Sequence, residues 1–195
     1  MVWGKESGFM DKAELRQMVK NRLGALSPTE IVQKSEQVRV QLFSMPVFKR
    51  AKTVMLYAST KGEVHTPPMI VDALNSGKTV LLPRMDADKI LACKVSDFDE
   101  LVPNKFGINE PKGASVPIEL IDVIIVPGLA FDEKCSRIGR GHGYFDKFLA
   151  LADKKSTRFI ALAFELQIFS QIPSEPHDVP MHSVVTEKRI IEAQQ

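Results

Sequence analysis

The chain has 195 residues, of which 44% are hydrophobic and 26% charged, a balance typical of a globular protein with a substantial core. Its formal net charge of +2 gives no electrostatic case for nucleic acid binding, and no apolar run approaches the length of a membrane span. The two cysteines, Cys93 and Cys135, are far apart and lack metal-like spacing, which favours a reducing, cytoplasmic setting. Cys93 is interpreted as a core residue, and Cys135 as a passive loop residue whose access to oxidants stays open.

The predicted domain begins at about residue 11. Residues 1–10 hold only scattered apolar side chains and lack the apolar segment of a secretory signal. They are therefore predicted to form an N-terminal extension, which could be disordered. The length of the remaining chain, 11–195, fits a single domain.

The first half of the chain carries clear helix signals. Asp11 and Glu14 have the spacing of a helix cap and its capping-box partner, and an apolar stripe of helical period follows them. The segment 27–30, Ser-Pro-Thr-Glu, repeats the signal and predicts a second helix. A third helix is expected around residues 69–74, with Gly77 just beyond its C-terminus.

Short apolar runs follow and separate these helices. Each run is bounded by turn residues, as buried strands are. Strands are predicted at 53–59, 79–82, 90–95, 121–126, 159–164 and 184–191. The alternation of strands and helices predicts a single-domain, three-layer α/β/α fold with a mostly parallel central sheet. The segment 98–118 is expected to be a long ordered loop.

The segment 137–146, Arg-Ile-Gly-Arg-Gly-His-Gly-Tyr-Phe-Asp, is the most informative part of the chain. Its three glycines let the backbone turn tightly and approach a ligand closely, and a helix is predicted directly after them at 144–151. Arg137 and Arg140 add positive charge, and His142 can do so when protonated. The segment predicts a phosphate cradle beyond the carboxyl end of the preceding strand, where open α/β sheets bind ligands.

Three other common motifs are absent from the sequence. Gly77-Lys78-Thr79 resembles the end of a Walker A loop, but Asp72 stands where that loop requires a glycine. The glycine spacing in 137–146 differs from the dinucleotide-binding fingerprint. No Gly-x-Ser-x-Gly nucleophile elbow occurs either.

Several segments together resemble the 5-formyltetrahydrofolate cyclo-ligase family, also called 5,10-methenyltetrahydrofolate synthetases. The strongest matches are 126–132, Val-Pro-Gly-Leu-Ala-Phe-Asp, and the Gly-rich segment 137–146. Further matching segments are 12–16, 57–63, 82–84 and 161–164. The resemblance implies an ATP-dependent closure of 5-formyltetrahydrofolate to 5,10-methenyltetrahydrofolate, with phosphorylation of the formyl oxygen and release of ADP and phosphate.

The resemblance also implies which residues bind the substrates and a magnesium ion. ATP is expected to contact Lys12, Arg16, Arg137, Ile138, Gly139, Arg140, Gly141, His142, Gly143, Tyr144 and Phe145. The folate substrate is expected to contact Ala58, Glu63, Arg140, Gly141, His142, Gly143 and Tyr144. Asp146 and Asp178 are expected to hold Mg²⁺, which takes few protein carboxylates and keeps waters and phosphates as its other ligands.

Some of these residues also fit simpler roles. Lys12, Arg16 and Lys20 are four apart, so spacing alone favours one solvated helix face, and the resemblance is what assigns the first two to ATP. His142 stands where relatives commonly carry Gly or Lys, and Phe145 replaces a tyrosine common in the family. The effect of these two departures on substrate affinity stays open.

Two other classes of function stay open beside the cyclo-ligase hypothesis. A sugar-phosphate isomerase on a similar sheet would need an acid/base pair and no ATP. A non-catalytic nucleotide-binding module would bind ATP without turnover. The cyclo-ligase hypothesis predicts a monomer whose partners are the small molecules ATP and 5-formyltetrahydrofolate.

Overall fold

The computed structural model describes residues 10–104, 107 and 109–194, apart from the side chain of Asp99. The predicted N-terminal extension therefore lies outside the described residues, except for the exposed Met10. Within the described part of the chain, no helix combines the length and the apolar composition needed to cross a bilayer.

Two capping boxes start the long helices. Helix α1 spans Lys12–Gly24 and helix α2 spans Pro28–Ser44. The Asp11 carboxylate accepts hydrogen bonds from two amides of the first turn of α1, and the Ser27 hydroxyl accepts one from α2. Both predicted caps are confirmed. Helix α3, Pro46–Arg50, is too short for hydrophobic periodicity to predict.

The described residues form twelve short strands, and seven of them make up the central sheet. The strands are β1 Thr53–Met55, β2 Thr79–Asp86, β3 Lys89–Val95, β4 Val102–Pro103, β5 Asn109–Glu110, β6 Val123–Val126, β7 Ala130–Asp132, β8 Arg137–Ile138, β9 Arg158–Leu162, β10 Ile168–Phe169, β11 Ser183–Val185 and β12 Ile190–Glu192. Among the described residues the sheet order is β12-β11-β9-β6-β1-β2-β3. Neighbours from β11 to β2 are parallel, and β12 and β3 pair antiparallel at the edges. The mostly parallel sheet is therefore confirmed.

Helices cover both faces of this sheet. The remaining two helices are α4, Pro67–Asn75, and α5, Tyr144–Leu149. Successive residues of β1 point to opposite faces, so that Val54 joins one buried cluster and Met55 the other. The first cluster includes residues of α1, α2 and α4, and the second includes residues of α5. This arrangement confirms the predicted three-layer, single-domain fold.

A second, smaller sheet lies beyond the end of β6. Its order is β10-β7-β8, with β7 parallel to β10 and antiparallel to β8. Its strands have only two or three residues, which is too short for an alternating pattern to predict. The Gly-rich segment leaves this sheet directly after β8, so the small sheet fixes where that segment begins.

Both cysteines are free and buried. The core assignment of Cys93 is confirmed. Cys135 lies in the β7–β8 turn, with Sγ 3.6 Å from the carbonyl oxygen of Ile191. Burial, followed by the nearby Asp132 carboxylate, raises the pKa of Cys135 to about 11. Access of oxidants to Cys135, left open by the sequence, is therefore not supported.

Several predicted strands have different boundaries in the structure; β2, for example, continues to Asp86 and β9 ends at Leu162. Two others differ more. The strand expected at 53–59 ends at Met55, because the following residues leave the sheet as a loop. The strand expected at 184–191 is a hairpin of β11 and β12. The Thr186 hydroxyl accepts a hydrogen bond from the Arg189 amide at 3.0 Å and closes the turn between them.

Candidate active site

Two loops meet at the carboxyl edge of the sheet and form the candidate site. One follows β1 and contains Ala58, Thr60 and Glu63, and the other is the Gly-rich segment 137–146, which begins with β8. Strands β1 and β6 are neighbours, yet the chain continues from β1 to β2 on one side and from β6 to β9 on the other. A crevice at such a reversal of strand order is the usual ligand site of an open α/β sheet.

The turn after β6 fixes the start of the second loop. The Gln167 side-chain amide donates hydrogen bonds to the carbonyls of Gly128 and Leu129, at 3.1 and 3.0 Å. A Cβ atom on Gly128 would lie 2.4 Å from the ring of Phe131, so a larger residue would clash there. This turn directs the chain into the small sheet and towards the Gly-rich segment.

The Gly-rich segment turns through left-handed backbone conformations. Gly141 has a φ of 108°, and Gly143, which caps α5, has a φ of 69°. The first amides of α5 have no acceptor within the helix, so they can donate to a ligand. Helix α5 ends at Leu149, earlier than predicted, and has only six residues. A phosphate bound here would therefore depend on loop amides and cationic side chains more than on a helix dipole.

Arg137 does not face solvent as a direct phosphate ligand would. Its side chain is 3% exposed, and its Nη2 donates to Oδ1 of Asp146 at 2.7 Å. Its Nη1 donates to the carbonyl of Pro127 at 3.2 Å. A Cβ atom on Gly139 would lie 2.8 Å from Nη1, so glycine leaves the space for this guanidinium. Arg137 therefore holds Asp146, and its expected contact with ATP stays a prediction.

The other residues of the loop divide into buried and exposed ones. The Ile138 side chain is buried in the core, and its carbonyl is hydrogen-bonded within the small sheet's turn. Tyr144 and Phe145 are half-buried and pack against the second buried cluster. His142 is exposed and its ring lies parallel to that of Tyr144, with centroids 5.6 Å apart. Within the loop, His142 and Arg140 are the charged or titratable side chains directed to solvent.

Helix α1 brings one cation to the Gly-rich segment and another to Asp178. Nε of Arg16 donates to the carbonyl of Gly139 at 2.9 Å, and a Cβ atom on Gly141 would lie 3.7 Å from the Arg16 guanidinium carbon. Lys12 lies one turn earlier on the same face of α1. Its Nζ is 2.7 Å from Oδ2 of Asp178. Arg16 therefore contacts the predicted loop, which lies more than a hundred residues further along the chain, whereas Lys12 contacts Asp178.

Lys12 and Asp178 are held as a charged pair. Partial burial acts to lower the pKa of Lys12, but hydrogen bonds to Asp178 and Glu175 outweigh it and the pKa is raised. Partial burial acts to raise the pKa of Asp178, but hydrogen bonds from Lys12 and the Glu175 amide outweigh it and the pKa is lowered. The stability from this pair is therefore lost as pH falls through the lowered pKa of Asp178 or rises through the raised pKa of Lys12.

The two predicted metal ligands, Asp146 and Asp178, lie close together. The Val179 amide, next to Asp178, donates to Oδ1 of Asp146 at 3.3 Å. Oδ2 of Asp146 accepts no hydrogen bond from the described residues, and Oδ1 of Asp178 has His177 Nε2 at 3.9 Å. Glu175, His177 and Asp178 also form a group with ligand atoms within 4.8 Å of one another. Carboxylate oxygens free of strong donors, beside a loop predicted to bind phosphate, suit Mg²⁺.

Arg140 reaches across the crevice to the loop after β1. Its Nη2 lies 2.7 Å from Oε1 of Glu63 and 2.7 Å from Oγ1 of Thr60. Tyr57 is fully buried nearby, and its pKa is raised well above the ordinary value by burial and then by the Glu63 charge, with Arg140 acting the other way. Tyr57 is therefore expected to keep its proton at neutral pH.

Sequence reasoning missed two residues that shape the site. Thr60 lies inside the matching segment 57–63, three residues before Glu63, a spacing typical of local side-chain to backbone hydrogen bonds. That signal could have identified Thr60. Gln167 gives no such signal, because its amide acts on carbonyls 38 and 39 residues away.

The chain is similar to named proteins over most of its length. A model of the 5-formyltetrahydrofolate cyclo-ligase family matches residues 9–187. The chain is 32% identical to the 5-formyltetrahydrofolate cyclo-ligase of Escherichia coli K12, over 90% of this chain and 100% of the relative. It is 33% identical to a probable 5-formyltetrahydrofolate cyclo-ligase of Schizosaccharomyces pombe, over 93% of this chain and 98% of the relative.

Solved structures show the same similarity. The NMR structure of Aquifex aeolicus 5,10-methenyltetrahydrofolate synthetase superposes with a TM-score of 0.86 and 35% identity, covering 95% of this chain and 94% of that one. A 5,10-methenyltetrahydrofolate synthetase from Mycoplasma pneumoniae gives a TM-score of 0.76 at 20% identity, covering 91% and 99%. The second similarity is one of fold alone.

Proposed function

The chain belongs to the 5-formyltetrahydrofolate cyclo-ligase family, and from that membership we propose that it closes 5-formyltetrahydrofolate to 5,10-methenyltetrahydrofolate with ATP, releasing ADP and phosphate. The contact between Arg140 and Glu63 is the observation that best supports this proposal. It joins the loop proposed for phosphate to the acid proposed for folate. Family membership removes the sugar-phosphate isomerase alternative. Measured turnover of 5-formyltetrahydrofolate would distinguish the proposed enzyme from a non-catalytic nucleotide-binding module.

The reaction needs activation of a formamide. Its carbon is a poor electrophile and its oxygen a poor leaving group. Transfer of the γ-phosphoryl group to that oxygen forms an O–P bond as ADP leaves. N10 of the folate then attacks the carbon and loses its proton, and the C–O bond breaks as the oxygen departs in phosphate. Phosphoryl transfer depends on positioning and positive charge more than on a protein nucleophile.

We assign the cations around the Gly-rich segment to the phosphates of ATP. Arg140 is half-exposed and suited to the transferred phosphoryl group, where developing charge needs a donor. Lys12 offers a point contact and Arg16 a two-pronged one. Glu63 can accept hydrogen bonds from N–H groups of the pterin ring, and Ala58 is assigned to the wall of the same pocket.

We assign Mg²⁺ to Asp146 and Asp178. When bound, the ion would neutralise negative charge on the phosphates. Arg137 orients Asp146 from beneath, and Lys12 holds Asp178 until phosphate is present. Each carboxylate thus has one oxygen fixed by the protein and another available to a ligand.

A spectroscopic assay tests the proposed activity. The conjugated methenyl product absorbs at longer wavelength than 5-formyltetrahydrofolate, so protein, substrate and Mg²⁺ are mixed with and without ATP. An ATP-dependent rise in absorbance is expected. A flat trace from folded protein that binds ATP would instead indicate a nucleotide-binding module.

Asp146→Asn tests the metal assignment. It should reduce turnover and weaken Mn²⁺ binding, measured by electron paramagnetic resonance in the presence of the non-hydrolysable ATP analogue AMP-PNP. Asp72→Asn is the matched control, because Asp72 is also an ion-paired carboxylate but lies on α4 beside Arg39. Equal Mn²⁺ affinity in the two variants would remove Asp146 from the metal site. The expected monomeric state and cytoplasmic location remain predictions.

A further inference from the structure

Thr60 contacts both halves of the site through one hydroxyl group. Its Oγ1 accepts a hydrogen bond from Nη2 of Arg140 at 2.7 Å and donates one to Oε2 of Glu63 at 3.1 Å. The Thr60 amide also donates to Oε2 of Glu63, at 2.8 Å. Thr60 therefore fixes the positions of Glu63 and Arg140 relative to each other across the crevice.

This arrangement conflicts with the ligand contacts proposed for the same two residues. Arg140 must give up Glu63 to meet a phosphoryl group, and Glu63 must share its oxygens with pterin donors. Whichever substrate binds first has to weaken the Arg140–Glu63 pair. When the second substrate binds, the Arg140–Glu63 pair is already weakened, so its binding free energy no longer includes the cost of breaking that pair.

We propose that Thr60 is a positioning residue that couples the folate half of the site to the nucleotide half. The inference rests on the proposed function, because it takes Glu63 as a folate contact and Arg140 as a phosphate contact. The Thr60 hydroxyl stabilises the closed pair in the empty site. Each substrate opens that pair and thereby favours binding of the other.

The size of the coupling follows from exposure of the pair. The Glu63 side chain is 12% exposed but that of Arg140 is 51% exposed, so solvent screens much of the attraction. A pair of this kind corresponds to about a two- to fivefold change in a binding constant. We expect 5-formyltetrahydrofolate to tighten AMP-PNP binding by that factor.

The test compares AMP-PNP affinity with and without saturating 5-formyltetrahydrofolate, in the presence of Mg²⁺, by isothermal titration calorimetry. Thr60→Val removes the hydroxyl with little change in shape, and the folate-dependent gain should fall towards one. Thr60→Ser should restore the gain. Thr157→Val is the control, since the Thr157 hydroxyl is buried without a partner among the described residues. Glu63→Gln should also abolish the gain.

The outcomes separate the inference from the proposed function. If Thr60 only supported the fold, Thr60→Val would lower the melting temperature or weaken the binding of both ligands alike. The ratio of AMP-PNP affinities with and without 5-formyltetrahydrofolate would then stay unchanged. The same gain in Thr60→Val and in the unaltered protein would overturn the inference, as would the absence of any gain in the unaltered protein. Failure of the unaltered protein to bind either ligand would overturn the proposed function instead.

Discussion

Replacing Arg137 with methionine should destabilise the protein by removing one partner of a buried ion pair. The Arg137 side chain is 3% exposed and Asp146 is 17% exposed, with 2.7 Å between Nη2 and Oδ1. The replacement would leave Oδ1 with the Val179 amide at 3.3 Å, and the Pro127 carbonyl would lose its Nη1 donor. The carboxylate would therefore stay partly desolvated without its cation.

The magnitude follows from these contacts. Breaking a buried pair by removing one member costs about 3–5 kcal/mol, and the partial exposure of Asp146 favours the lower end of that range. Arg137→Met also removes Nε, a buried donor without a partner among the described residues, which offsets about 1 kcal/mol. The net expectation is a loss of about 2–3 kcal/mol in the free energy of unfolding.

Urea denaturation of four proteins tests this value. They are the unaltered chain, Arg137→Met, Asp146→Asn and the double variant. Each single variant leaves one group without its charged partner. The loss in the free energy of unfolding of the double variant should therefore be smaller than the sum of the two single losses, by at least about 1 kcal/mol. Additive losses, or a loss below about 1 kcal/mol for Arg137→Met, would refute the assignment of a buried pair.

Three further predictions concern a surface cation, the thiols and a histidine. Arg140→Ala should reduce turnover by about 100-fold with little change in the urea midpoint, because Arg140 is half-exposed; an unchanged rate would remove it from catalysis. Neither Cys93 nor Cys135 should react with Ellman's reagent until the protein unfolds, since burial raises the pKa of both thiols; rapid native labelling would contradict this. His182 accepts a hydrogen bond from the Phe159 amide through Nδ1, and burial lowers the pKa of His182 from 6.5. The unfolded state therefore takes up a proton more readily than the folded state, and the free energy of unfolding falls as pH drops through that value. His182→Asn keeps an acceptor and should lessen this loss in urea titrations at about pH 7.5 and about pH 5.5; an equal loss would exclude His182 as its source.

The sequence predicted the parts of the fold that depend on local chemistry. The capping residues Asp11 and Ser27 act within one helical turn, and the apolar runs 121–126 and 159–164 each contain most of a buried strand. The Gly-rich segment is recognisable in the sequence because Gly141 and Gly143 adopt positive φ angles, which glycine accommodates without strain. Tertiary context was not required for any of these predictions.

The sequence could not predict how charged residues are paired in space. Arg137 and Arg140 are three apart in one segment and have the same charge, yet one is buried against Asp146 and the other reaches Glu63. That difference depends on the small sheet and on the space left by Gly139, both of which are tertiary features. Whether either arginine contacts ATP stays a prediction.

The pairing of Lys12 with Asp178 bears on the order in which the molecule assembles. These residues are 166 positions apart, so their contact closes one of the longest loops the chain can form. Contacts between residues so far apart in sequence tend to form late in folding, because the entropic cost of closing the loop precedes the stabilisation that the contact provides. A growing chain would hold the Gly-rich segment well before it holds Asp178. The half of the site proposed for Mg²⁺ can therefore be completed only after the strands up to β9 have been synthesised, whereas β11 and β12 of the same sheet follow Asp178 in the chain.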